Sequence, residues 1–161
     1  MSGVKAKHHH YRTSLAWTAS AGATTSYTAY SRDHVVRSAG RPDVLMSSDP
    51  AFRGNAARHN PEDLLVASLS SCHMLWYLHL CAVAGIVVTE YVDEAEGTMV
   101  EDANGGRFER VTLHPRVTIS AGDAGKAAEL HHEAHRLCYI ANSVNFPVTC
   151  EPQIESAAPI A

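Results

Sequence analysis

From Leu64 to Val88 the chain runs 25 residues without a formal charge. Such a stretch must be a helix covered on most sides, or a span of a bilayer. Its start is well specified: Asn60 is a favoured N-cap, Pro61 suits the first helical position, and Glu62 and Asp63 complement the positive end of the dipole. Gly85 is the natural stop, which predicts a helix of about 24 residues. Ser68, Ser70, Ser71, His73 and His79 interrupt the apolar run, a β-branched segment follows Gly85, and no basic flank sets a membrane orientation. The expectation is no membrane span, but a central helix wrapped by sheet and partly covered at a subunit interface.

The length, 161 residues, suits a single domain, 1–161, with 1–10 as a disordered N-terminal segment. An apolar content of 45% and a charged content of 19% are those of a chain with a real core. The net charge of −4 and the lack of a lysine–arginine block argue against a nucleic-acid partner. Eleven histidines allow some charge to change between about pH 5 and 7. No secretory signal opens the sequence, and four cysteines without dense spacing do not make a disulfide scaffold, so reduced thiols in the cytoplasm are expected.

The first third reads as strands, Tyr11–Trp17 and Ser26–Ser31, joined through Gly22, followed by a long loop from Ser38 to Asn60. After the helix, Ile86–Glu96 and Phe108–Ile119 alternate as two strands, with Asn104-Gly105-Gly106 as a hairpin signal. A second helix is predicted from about Ala124 to Ala141, capped by Asp123, and a final strand over Phe146–Ile154. The order strands, helix, strands, helix, strand is an α+β arrangement.

Cys72 lies in the middle of the apolar helix. A thiol there is either a small hydrophobe or a protected nucleophile, and a nucleophile needs nearby groups that favour the thiolate. His73 is its neighbour but points about 100° away, and so lines a pocket or the core. Cys81, nine residues on, is on the opposite side of the helix and about 13 Å along it, beyond disulfide reach. Cys81 and Cys150 read as structural thiols. Cys138 lies near the end of the second helix and approaches Cys72 if the two helices pack together. A metal or hydrolytic site on Cys72 and His73, or on His131, His132 and His135, lacks a Cys-x-x-Cys or His-Glu-x-x-His pattern, so no metal is expected.

Asn60-Pro61-Glu62-Asp63-Leu64-Leu65 with Ser71-Cys72 beyond it, together with Ala134–Ser143 around Cys138, resembles the OsmC/Ohr family of thiol-dependent hydroperoxide reductases, over about Tyr11–Ile154. The resemblance implies an intertwined homodimer with antiparallel sheets wrapped around two central helices. It implies that Cys72 is the peroxidatic thiol, that Cys138 resolves it as a disulfide, and that Glu62 pairs with an activating arginine. Phe52-Arg53-Gly54 resembles the loop arginine of the OsmC branch. The other branch has its arginine after the first strand, where this chain reads Thr18-Ala19-Ser20-Ala21-Gly22. Arg53 is therefore the first choice, with Arg32 and Arg58 in reserve. The family often has proline after its second cysteine, whereas this chain has Tyr139.

The implied activity is reduction of alkyl or lipid hydroperoxides, with Leu69, Met74, Leu75 and Trp76 as the apolar substrate lining. The implied reductant is an external dithiol such as a lipoylated protein, with no bound cofactor. The rival expectation is a non-catalytic protein that binds a hydrophobic ligand or senses redox state, with Cys72 as lining. Ten residues of helix place Glu62 and Cys72 about 15 Å apart along the axis. If both serve one site, Glu62 comes from the partner subunit.

Overall fold

The computed structural model describes residues 6–20 and 22–157. Residues 1–5 of the expected disordered segment lie outside that range, while residues 6–10 are exposed and carry no regular structure. The chain divides into two compact units at Asp63/Leu64. Helices and sheets are both present, as an α+β chain requires.

Among its described residues the N-terminal unit holds three short strands, β1 (Ser14–Ala16), β2 (His34–Arg37) and β3 (Val44–Met46), paired antiparallel in that order. The expected strand at Ser26–Ser31 is instead a run of turns. Its carbonyls are taken locally: Ala29 N–H donates to Ser26 O at 3.1 Å, and the Arg32 guanidinium donates to Tyr27 O and Tyr30 O, each at 2.6 Å. Groups captured in this way cannot pair with a neighbouring strand. The long loop is ordered around a 3₁₀ turn at Pro50–Phe52, whose Asp49 side chain accepts from Ala51 N–H at 2.7 Å.

The long helix, α1, spans Pro61–Val83. Asp63 N–H donates to Asn60 Oδ1 at 2.7 Å, the cap expected from sequence. At the other end Ile86 N–H reaches Cys81 O at 2.9 Å and Gly85 N–H reaches Ala82 O at 3.3 Å, with Gly85 at φ 73°. This pair of bonds is a Schellman closure, which needs a left-handed residue at Gly85.

The C-terminal unit adds β4 (Val87–Asp93), β5 (Glu96–Asp102), β6 (Gly105–Leu113) and β7 (Pro115–Ala121). Each of the two long strands expected here is cut, so four strands stand where two were read. The break has a cause: the Asp93 carboxylate accepts from His114 N–H at 2.7 Å and from Ser70 Oγ. This joins two corners where the chain leaves one sheet for the other. The final strand divides in the same way into β8 (Val148–Cys150) and β9 (Gln153–Ser156). The two resulting sheets are ordered β4-β7-β9 and β5-β6-β8, with β8 and β9 added in parallel to β6 and β7.

The second helix, α2 (Ala124–Leu137), starts where Asp123 Oδ1 accepts from Lys126 N–H at 2.6 Å. It stops at Cys138, short of the expected Ala141, because Cys138 turns to ψ 111°. A 3₁₀ turn at Ala141–Ser143 follows. Leu69, His73, Tyr77 and Cys81 form the buried stripe of α1, spaced by four residues. Tyr77 and Cys81 pack with Val117, Ile119, Ala127, Leu130 and Ala134, while Leu69 packs with Val111 and Leu113.

Candidate active site

The C-cap position of Cys138 gives the second thiol its setting. The side chain is 1% exposed and its sulfur accepts from Ala141 N–H at 3.4 Å. The half-buried Cys72 of α1 is its neighbour. Burial pushes the Cys138 thiol up to about 11, the neighbouring Cys72 adds to the rise, and the N–H groups of Ala141 and Ile140 oppose it. Cys138 therefore keeps its proton at neutral pH. Both cysteines are reduced in this structure.

Cys72 opens onto a groove of about 350 Å³ lined by Leu75, Trp76, His79 and Tyr139. Cys72, Leu75, Trp76 and His79 lie on one helix face. Trp76 meets Tyr139 edge-on with ring centroids 5.5 Å apart, and meets His79 edge-on at 5.8 Å. Of the four residues expected as substrate lining, Leu75 and Trp76 border this groove. Leu69 does not: it is fully buried against Val111 and Leu113. Met74 is not among the lining residues either, being about 200° around the helix from Cys72. His79 and Tyr139 were missed. The i, i+3 spacing of Trp76 and His79 carried the signal for His79. Tyr139, read only as a replacement for proline, had no such periodicity.

The remaining candidates lie in the N-terminal unit. Glu62, in the first turn of α1, has a buried Oε2 with no hydrogen-bond partner among the described residues. Arg53 is exposed and adopts a left-handed conformation, φ 65°, at the end of the 3₁₀ turn. Arg58 is paired with Asp33, Nε to Oδ2 at 3.3 Å. Arg32 is committed to the tyrosine loop, its guanidinium 3.9 Å from the centre of the Tyr30 ring.

A second cluster was not foreseen as a unit. His73 Nε2 lies 2.9 Å from His131 Nδ1, and Cys150 Sγ lies 3.6 Å from the first and 3.8 Å from the second. Both imidazoles are almost wholly buried, and Tyr77 stacks on His131 at 3.8 Å. Burial, with His135 nearby, lowers His73 to about 4, while Asp93 acts against the fall. Burial and the neighbouring His73 and His132 lower His131 to about 3. Burial, then Asp93 and Glu151, push the Cys150 thiol up to about 12. Two neutral imidazoles and a protonated thiol therefore meet in the core at pH 7. The sequence reading placed His73 correctly in a core or pocket, but treated Cys150 as a thiol without context.

Residues 54–153 match the family model described as OsmC-like protein. This chain belongs to the OsmC-like family. An OsmC-like protein of unknown function from Vibrio cholerae is 30% identical, with 90% of this chain and 99% of that one covered and a TM-score of 0.83. Two further structures share the fold at lower identity. An organic hydroperoxide resistance protein from Elizabethkingia anophelis is 21% identical, covering 94% of this chain and 100% of that one, with a TM-score of 0.63. One from Legionella pneumophila is 18% identical, covering 92% and 99%, with a TM-score of 0.62. No curated protein matches this OsmC-like chain.

Proposed function

We propose that this OsmC-like protein is a cytoplasmic thiol peroxidase that reduces organic hydroperoxides in an antioxidant stress response. One observation carries the reading: Cys72 faces an apolar groove and neighbours the buried, protonated thiol of Cys138. The organic hydroperoxide resistance proteins that share the fold are consistent with it.

In the proposed cycle the Cys72 thiolate attacks the distal peroxide oxygen. The O–O bond breaks, the alkoxide takes a proton and leaves as the alcohol, and Cys72 is left as a sulfenic acid. Cys138 then attacks the Cys72 sulfur, loses its proton, and expels water to form the Cys72–Cys138 disulfide. An external dithiol, for which a lipoylated protein is the proposed source, is oxidised as it restores both thiols. Leu75, Trp76 and Tyr139 supply an apolar surface suited to alkyl or lipid chains. Arg53 is proposed to favour the Cys72 thiolate and hold the peroxide oxygens, oriented by Glu62. The helix rise between Glu62 and Cys72, about 15 Å over ten residues, argues that Glu62 reaches this site from the partner of a homodimer.

Cumene hydroperoxide consumption with dihydrolipoamide tests the reading. Cys72→Ser is expected to abolish turnover, whereas Cys138→Ser is expected to consume one equivalent per chain and then stop. Equal turnover by Cys72→Ser and wild type would leave a non-catalytic ligand-binding or redox-sensing protein.

A further inference from the structure

The His73, His131 and Cys150 cluster takes no part in that cycle, and its geometry asks for a separate account. The three residues come from α1, α2 and β8, and each presents its donor atom inward. A tetrahedral ion about 2.0–2.1 Å from each nitrogen and about 2.3 Å from sulfur spaces its nitrogens about 3.3 Å apart and nitrogen from sulfur about 3.5 Å. The observed separations are 2.9, 3.6 and 3.8 Å. One point can satisfy all three bond lengths, with the nitrogen–metal–nitrogen angle closed to about 90° and the other two opened to about 110–120°. We propose that His73 Nε2, His131 Nδ1 and Cys150 Sγ form a binding site for a divalent transition-metal ion of the Zn(II) class.

The donor set fits such an ion. Two imidazoles and one thiolate suit a borderline-soft metal and disfavour magnesium or calcium, which take oxygen ligands. Both ring nitrogens that face inward are available as lone pairs when the imidazoles are neutral. Cys150 must give up its proton on binding, which a coordinating cation drives outright. The ion and one thiolate leave a charge of +1, and the Asp93 carboxylate acts electrostatically on both His73 and Cys150. Its own oxygens are held by His114 N–H and Ser70 Oγ, so it serves as a fixed counter-charge and not as a ligand.

The outer nitrogens, His73 Nδ1 and His131 Nε2, are buried without a partner among the described residues. Binding would put a proton on each. Lacking the carboxylate or carbonyl that usually supports a ligand histidine, the site is expected to bind more weakly than a fully supported structural zinc site. Its effect would be to tie both helices to β8.

The test uses the full-length, reduced protein, stripped of metal and handled without oxygen, with Co(II) and Zn(II) as probes. One Co(II) per chain should give intense tetrahedral ligand-field bands and a thiolate charge-transfer band, and one equivalent of Zn(II) should displace it. The Zn(II) Kd should fall below about 10 µM. The bands should persist in the Cys72→Ser/Cys138→Ser double variant and disappear in Cys150→Ser. Zn(II) should raise the unfolding temperature of that double variant in a concentration-dependent way. No charge-transfer band in the wild type, a Kd above that limit, or bands that vanish with Cys72 and Cys138 would overturn the proposal. The wild type and the double variant decide the matter even if Cys150→Ser does not fold.

Discussion

Cys138 shows how one residue's setting sets its chemistry. It caps α2, is buried, and faces Cys72, so its thiol is raised from 9.0 to about 11. Below pH 9 the folded and unfolded states both hold this proton, and its contribution to stability is complete. As pH rises from 9 towards 11 the unfolded chain loses the proton first, and the folded state loses about 2 kcal/mol from this group. Denaturant midpoints of the reduced protein should therefore fall over that window, and Cys138→Ser should remove one proton's worth of the slope. An unchanged slope would show that Cys138 is not held protonated. At the N-terminus of α1, Asn60→Ala should cost about 1 kcal/mol through loss of the bond from Asp63 N–H, read by urea unfolding. Asn60 and Asp123 were legible as caps because capping is a local bond spanning three residues. Cys150 was not legible, because nothing within ten residues of it in sequence marks the histidines it meets.

Elements were readable where their signals are local and less so where partners decide. Both helix starts and the Gly85 stop followed from side-chain chemistry. The strands did not: alternation marks extended chain, but not the point where that chain changes sheet. Asp93 makes one such corner by bonding across to His114, and no period in the sequence reports it. Two glycines that end elements give a graded prediction. At Gly85, φ 73°, an added Cβ meets nothing within 4 Å, so Gly85→Ala should cost only the left-handed strain of about 1 kcal/mol. At Gly122, φ 105°, the Cβ would lie 2.9 Å from the Ile86 Cα. Gly122→Ala should therefore cost clearly more, roughly 2–4 kcal/mol, since backbone must shift as well. Thermal unfolding of the pair checks the order, and equal losses would refute it.

At the scale of the molecule, α1 is long and apolar enough by length and composition to cross a bilayer. Yet Leu69, His73, Tyr77 and Cys81 pack into the core, and His73 bonds a histidine of α2. Leu75 and Val83, by contrast, are 61% and 75% exposed. We propose that a second copy of the chain covers these side chains. Sedimentation without detergent should give about twice the chain mass of 17.4 kDa, and a monomer at micromolar concentration would refute the dimer.

The sequence by itself determined the starts of both helices and the stop of the first, the α+β order, the family, and the two cysteines on which the proposed reaction depends. Each of these rests on residues close in the chain or on a motif contained in one element. The packed chain settled where the strands change sheet, which side chains line the groove beside Cys72, and that His73 meets His131 and Cys150. Those partners stand 58 and 77 residues from His73. Contacts across such separations arise from how helices and sheets stack, and hydrophobic periodicity along one segment carries no record of them.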